Sequence, residues 1–210
     1  MDKKKINTKT MIYIVRHGET DWNVNHIMQG QLNIPLNDKG RAQVRAIAVH
    51  LKEVHFDVCY ASPLSRAYET ATIINSYHHV PILKETAIME RHFGVVQRKT
   101  YAEVYNFHPA MLFGERWNYP DYKPQGGESA NDVKNRAIKF VKHILKKNKG
   151  KSVLIVSHGD FLRSVIAALL GIHPKTLMDV YAANSGLSLI EIKNGQPTVH
   201  VVNYLPRQSV

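Results

Sequence analysis

The hydrophobic pattern of the chain changes period several times. Residues 11–15 (MIYIV) and Ser152–Ser157 (SVLIVS) are short apolar runs rich in β-branched residues. They lack the polar alternation of a half-buried strand, which is the pattern of strands buried on both faces of a parallel sheet. Residues 57–61 and the short run 80–84 continue the series. Between these runs the spacing becomes helical. Val44, Ile47, Ala48 and Leu51 recur behind Asn37, a helix-capping residue type. Leu64, Ala67, Ala71 and Ile74 do the same after Ser62-Pro63, which reads as an N-cap with proline at the first helical position. Thr100 and Glu103 predict a capping box for a short helix. Val133, Ala137, Phe140, Val141 and Ile144 stripe a long helix from Ser129, with Lys146, Lys147 and Lys149 suited to its C-terminal end. Leu162, Val165, Ile166 and Leu169 stripe another, stopped by Gly171, and Pro174 begins a short one. Asn194-Gly195 is a hairpin turn between strands at 186–192 and 198–204. Strands alternating with helices predict an α/β fold with a mostly parallel sheet covered on both faces.

Composition narrows the class. The 210 residues are enough for one well-buried core. A basic, solvated and disordered tail is expected at 1–10 and a single domain over 11–210. The formal net charge is +11; the tail supplies +3 of it and leaves +8 on the body. That balance favours anionic partners such as phosphorylated metabolites. Aromatics are not interleaved with the basic residues and no nucleic-acid motif is present, so nucleic acid is not an expected partner. No apolar run has the length of a membrane span, and the start MDKKKINTKT has no apolar stretch of a secretory signal behind it. The single cysteine, Cys59, rules out an internal disulfide and fits a reducing, cytoplasmic setting. Its place in an apolar run makes it a core thiol. His78-His79 and the other histidines lack metal-ligand spacing, so no metal site is expected. Residues 107–127 are loop-rich, and a loop of that length is expected to act as a lid over a site. Trp117, Tyr119 and Tyr122 either line that lid or pack elsewhere.

The candidate chemistry lies where strands end. Residues 11–15 run into Arg16-His17-Gly18, and Ser152–Ser157 runs into His158-Gly159 and then directly into a helix. Ligands of open α/β sheets bind just beyond the carboxyl ends of strands. Arg66 falls in the first turn of the helix after the run 57–61, off its apolar stripe and near the same edge. Glu90, in the loop 85–97, adds a carboxyl group. A cationic pocket with one carboxyl group suits phosphoryl transfer, because fixed cations stabilise the charge spread over the transferring group. It also suits a histidine nucleophile, since neighbouring guanidinium groups disfavour the imidazolium, and a backbone carbonyl would fix the tautomer. Asp160 either caps its helix or faces the pocket. Glu19 and Thr20 are expected to stabilise the loop after His17.

Arg16-His17-Gly18-Glu19-Thr20, Asn23, Ser62-Pro63-Leu64 with Arg66-Ala67, and Ser157-His158-Gly159 together resemble the histidine phosphatase superfamily, also called the phosphoglycerate mutase-like family. The match runs in order over nearly the whole chain after residue 10. The resemblance implies a three-layer α/β/α sandwich and chemistry without metal or cofactor. It implies that His17 is the nucleophile that becomes phosphohistidine. Arg16, Arg66 and His158 would hold the phosphoryl oxygens, and Gly159 would add a backbone amide. Asn23 would contact the phosphoryl group or its neighbour, with Gln29 and Gly30 completing the substrate-binding set. Glu90, in the run Met89-Glu90-Arg91-His92-Phe93-Gly94, matches the proton donor. The implied activity is a metal-independent phosphomonoesterase acting on small phosphorylated metabolites. A second copy of the chain is a candidate partner that no stretch identifies.

Two alternatives stand beside that reading. The run from Glu90 to Gly94 also resembles the 2,3-bisphosphoglycerate-dependent phosphoglycerate mutases. Those enzymes carry tyrosine where Phe93 stands and lysine where Tyr101 stands, and phenylalanine has no hydrogen-bonding group. The chain is also shorter than a mutase around 107–128, and Pro124-Gln125-Gly126-Gly127-Glu128-Ser129 resembles the phosphatase branch. Arg91, Arg98, Lys99 and Arg116 are read as solvated residues rather than a second anion site. The other alternative is a catalytically weak binding or regulatory protein on the same fold.

Overall fold

The computed structural model describes residues 9–108, 118–177 and 182–206. Within them, β1 (Lys9–Arg16), β2 (Val58–Ala61), β3 (Ile82–Lys84) and β4 (Ser152–Ser157) run parallel, and β5 (Leu187–Lys193) and β6 (Gln196–Tyr204) run antiparallel. The sheet order is β3-β2-β4-β1-β5-β6. The helices are α1 (Asp21–Val24), α2 (Asp38–Leu51), α3 (Ser65–Asn75), α4 (Tyr101–Phe107), α5 (Ala130–Lys147) and α6 (Gly159–Leu170).

The continuous apolar runs resolve into two faces. Ile12, Ile14, Val58, Tyr60, Val153 and Ile155 point to α5 and α6, where they meet Val133, Phe140, Phe161 and Val165. Val15, Cys59, Ala61, Leu154 and Val156 point the other way, onto Val44 and Ile47 of α2 and Ala67 and Ala71 of α3. This is the expected α/β/α sandwich. Each fully buried aliphatic side chain contributes about 1.5–3 kcal/mol. Burial pushes the Cys59 thiol up to about 12, so it is an inert core group.

Topology then places the chemistry. β4 pairs with β1 in register, Arg16 opposite Ser157, and the His17 amide donates to Ser157 O at 3.0 Å. The two His-Gly ends are therefore side by side at one sheet edge. β2 ends beside β4, which brings Ser62 and α3 to the same edge. β5 is antiparallel to β1, so its beginning rather than its end lies there. The β5–β6 turn has Asn194 and Gly195 at positive φ (52° and 80°), the conformation of a tight hairpin.

Several boundaries differ from expectation. β1 starts at Lys9, not Met11, because Lys9 pairs with Lys193 and bonds Glu191 at 2.9 Å while Thr10 is buried. α3 starts at Ser65 with Leu64 at its N-cap position, so Ser62 and Pro63 are not the cap and the first turn. The Ser62 hydroxyl is taken into the site instead. Arg91 is not solvated: it is buried, and its guanidinium donates to Glu128 O at 2.9 Å and Tyr122 O at 3.4 Å. Asp160 is not a cap; His158 occupies that position. α4 extends to Phe107, and residues 109–117 of the expected lid, with Trp117 and Arg116, lie outside the described residues.

Candidate active site

His17 leaves β1 as the chain turns into a tight loop. Its Nδ1 donates to Gly18 O at 2.7 Å, so the backbone carbonyl fixes the tautomer. Nε2 then carries the lone pair, and Arg66 Nε donates to it at 3.3 Å. Burial first, then Arg66 and Arg16, hold the His17 ring neutral well below the usual histidine range. The loop itself is locked. Gly18 N donates to Thr70 Oγ1 at 3.2 Å, and Glu19 N to Gln43 Oε1 at 3.0 Å. Gly40 in the first turn of α2 lies against it so closely that a Cβ there would sit 2.1 Å from Glu19 O. Thr20 and Asn23 form the reciprocal cap of α1, each side chain accepting from the other's amide.

Arg66 is fully buried on α3. Its NH1 donates to Leu32 O at 2.8 Å and its NH2 to Gly30 O at 2.7 Å. Gly30 has φ +53°, a left-handed turn that suits glycine and aims its carbonyl at the guanidinium. Burial lowers Arg66 to about 10, still cationic at neutral pH. Arg16 reaches the start of α6, its guanidinium in contact range of Gly159, and its NH1 donates to Ala182 O. Gln29 Nε2 donates to Thr20 Oγ1 at 2.8 Å.

His158 is buried at the end of β4. Its Nε2 lies 2.8 Å from Ser62 Oγ, and its ring centroid is 5.1 Å from that of His17. Ser62 Oγ also accepts from Leu64 N at 3.4 Å, so this hydroxyl ties the start of α3 to the His158 ring. Burial, with the Arg66 charge next, keeps this ring neutral as well. His158 Nδ1 and Arg16 Nε are both buried without a hydrogen-bond partner among the described residues. A buried polar group without a partner costs about 1–3 kcal/mol, and two of them beside the Arg66 guanidinium suit a site that takes an anion.

Glu90 lies across the N-terminus of α6. Its Oε1 accepts from Arg91 N (2.9 Å) and Phe161 N (3.2 Å), and its Oε2 from Asp160 N (3.3 Å). Burial and then the Asp160 charge raise its pKa above the ordinary carboxylate range. Arg136 braces the loop from behind, donating to Ala87 O at 2.7 Å and Met89 O at 2.8 Å. Gln31 Nε2 donates to Glu90 O at 2.9 Å. The stretch after Pro124 clasps the same loop, with Glu128 N donating to His92 O and His92 N to Glu128 Oε2, each at 2.8 Å.

Arg16, His17, Arg66, His158, Gly159 and Glu90 thus fall at one sheet edge, with Asn23 in α1 and Gln29 and Gly30 in the loop beside it. Sequence reasoning missed Ser62 as a ring partner, Arg136 as a brace, and Asn184. The Asn184 amide donates to His17 O at 3.1 Å, Gly18 O at 3.2 Å and Asn23 Oδ1 at 3.3 Å. Its signal was the Asn184-Ser185-Gly186 turn feeding the antiparallel strand, which delivers its first residues to the edge where β1 ends. The Phe93 ring packs with Met28, Val96 and Val104, and Tyr101 is exposed at the start of α4.

The comparisons with known proteins agree with this geometry. The family model "Histidine phosphatase superfamily (branch 1)" matches residues 12–205. Phosphoserine phosphatase 1 of Hydrogenobacter thermophilus is 31% identical over 91% of this chain and 91% of its own length. A 2,3-bisphosphoglycerate-dependent phosphoglycerate mutase of Cytophaga hutchinsonii is also 31% identical, over 88% of each. The solved structure of Bacillus stearothermophilus YhfR superposes with a TM-score of 0.80 at 32% identity, covering 91% of this chain and 96% of that one. The chain belongs to the histidine phosphatase superfamily.

Proposed function

We propose that the protein is a metal-independent phosphomonoesterase that hydrolyses small phosphorylated metabolites through a phosphohistidine on His17. The observation that carries this is the wiring of His17. Its Nδ1 proton is committed to Gly18 O, and its Nε2 lone pair faces the cationic side of the pocket. In the first step Nε2 attacks phosphorus, the ester P–O bond breaks, and protonated Glu90 gives its proton to the leaving oxygen. In the second, water attacks phosphorus, Glu90 takes back a proton, and the P–N bond breaks to release phosphate. Arg16, Arg66 and the Nδ1–H of His158 meet the charge on the phosphoryl oxygens. Asn23, Gln29, Gly30 and Gly159 complete the rim that receives the substrate. The phosphoserine phosphatase among the relatives supports phosphorylated hydroxy-acids as a substrate class.

The mutase reading is supported by the likeness to the Cytophaga mutase and by the run from Glu90 to Gly94. Against it, the Phe93 ring is committed to an apolar cluster and Tyr101 brings no cation. The test is phosphate release from phosphoserine, 3-phosphoglycerate, sugar phosphates and an aryl phosphate, with His17→Ala as the blank. A coupled isomerisation assay on 3-phosphoglycerate with a bisphosphate primer runs alongside. Release without isomerisation is the expected result. Primer-dependent isomerisation would replace this proposal with the mutase, and activity undiminished in folded His17→Ala would remove the mechanism.

A further inference from the structure

Glu90 is surrounded by groups that favour its ionised form. The amides of Arg91, Asp160 and Phe161 all point at its oxygens, and Arg66 adds a positive charge from α3. A proton donor working at neutral pH needs the opposite bias, and burial supplies part of it. The rest comes from α6. Asp160 touches Glu90 through its backbone amide, and its own carboxylate is ion-paired to Arg163 one turn on, Oδ1 to NH1 3.2 Å. Both side chains are nearly buried, 15% exposed for Asp160 and 9% for Arg163. Among the described residues, three neighbouring kinds of charged or titratable group are turned away from its carboxyl group or held neutral. Arg136 of α5 reaches the Glu90 carbonyl at 3.4 Å rather than its carboxyl group. The Arg91 guanidinium is turned to Glu128 O and Tyr122 O. His17 and His158 are held neutral by burial.

We propose that Asp160, anchored by Arg163, is a positioning residue that holds Glu90 in its proton-donating form. The negative charge of Asp160 next to Glu90 makes a second negative charge there costly, so the Glu90 proton is kept until the leaving oxygen needs it. Arg163 fixes the Asp160 carboxylate and moderates its effect. The inference rests on Glu90 being the proton donor.

The test is the pH profile of kcat/KM for phosphoserine, whose alkoxide leaving group needs a proton, and for p-nitrophenyl phosphate, whose leaving group does not. On phosphoserine, Asp160→Asn moves the alkaline limb down by about one pH unit and Arg163→Gln moves it up, because the two remove charges of opposite sign. A merely structural role would not give shifts of opposite direction. Glu90→Gln removes the limb and the phosphoserine activity, whereas p-nitrophenyl phosphate, whose leaving group needs no proton, still phosphorylates His17 and is slowed only at the water step. If Glu90→Gln retains both, Glu90 is not the donor and the underlying reading fails. If Glu90→Gln behaves as stated but the limb stays in place in Asp160→Asn, only the Asp160 proposal is overturned. Should Asp160→Asn not fold, Asp160→Ser decides the question by the same downward shift or its absence.

Discussion

His17 and His158 end neighbouring parallel strands, each is followed by glycine, and their rings lie side by side. Their partners nevertheless differ. A backbone carbonyl takes the His17 Nδ1 proton and leaves Nε2 as the electron-pair donor. A serine hydroxyl engages His158 at Nε2 and leaves Nδ1 buried without a hydrogen-bond partner among the described residues. The chain beyond them differs too. After His17 it folds into a loop pressed on Gly40; after His158 it enters α6 at once. In the proposed mechanism the same dipeptide at the same edge serves as the nucleophile in one place and as an oxyanion donor in the other. Burial keeps both rings neutral, and the different partners of their nitrogens are what would divide the proposed roles.

The strongest way to break the comparison is to remove the nucleophile. His17→Ala is expected to lower phosphate release by on the order of 10⁴-fold or more, with an unchanged circular dichroism spectrum. His158→Gln keeps a donor of similar size without the ring and is expected to cost on the order of 10²-fold in kcat, while a phosphoenzyme still forms. Equal losses in the two variants would mean that the division of roles is wrong. Ser62→Ala tests the tautomer itself and is expected to cost about 10-fold in kcat, the worth of one misoriented hydrogen bond.

Two measurements address stability. In Gly40→Ala, helix propensity favours the change by up to about 1 kcal/mol, but the Cβ collides with the backbone of Glu19, and a net loss of about 2 kcal/mol is expected in urea unfolding. The pH dependence has the smaller effect. The unfolded chain protonates both histidines below about pH 6.5, whereas the folded chain holds them neutral to much lower pH. Stability contributed by the two rings is therefore full above that value and is lost as pH falls below it. Glu90, with its raised pKa, contributes with the opposite sign, one proton against two. The urea midpoint should be lower at pH 5 than at pH 7.5, and the difference should shrink in His158→Gln.

The strands, the two His-Gly ends, Arg66 and Glu90 were legible in the sequence because each is announced locally, by an apolar run, a turn or a short motif. The partners that assign their roles were not. Ser62 looked like a helix cap because Ser-Pro commonly is one; only the adjacency of β2 and β4 turns its hydroxyl to His158. Asn184 is far from His17 in sequence and joins it through antiparallel pairing. Arg91 looked like a surface charge and Arg136 drew no reading, because nothing in their neighbourhood tells that their guanidiniums collect backbone carbonyls of the loops around Glu90. Periodicity reports which side of an element is buried, while long-range hydrogen bonds depend on the sheet order.

The most direct test of the account is to trap the phosphoenzyme. The wild-type protein is mixed with ³²P-labelled phosphoserine, quenched in alkali within milliseconds, digested and mapped. The account predicts an alkali-stable, acid-labile label on the peptide carrying His17, retained in His158→Gln and absent in His17→Ala. Label on the peptide carrying His158, or substrate turnover with no labelled histidine, would contradict it.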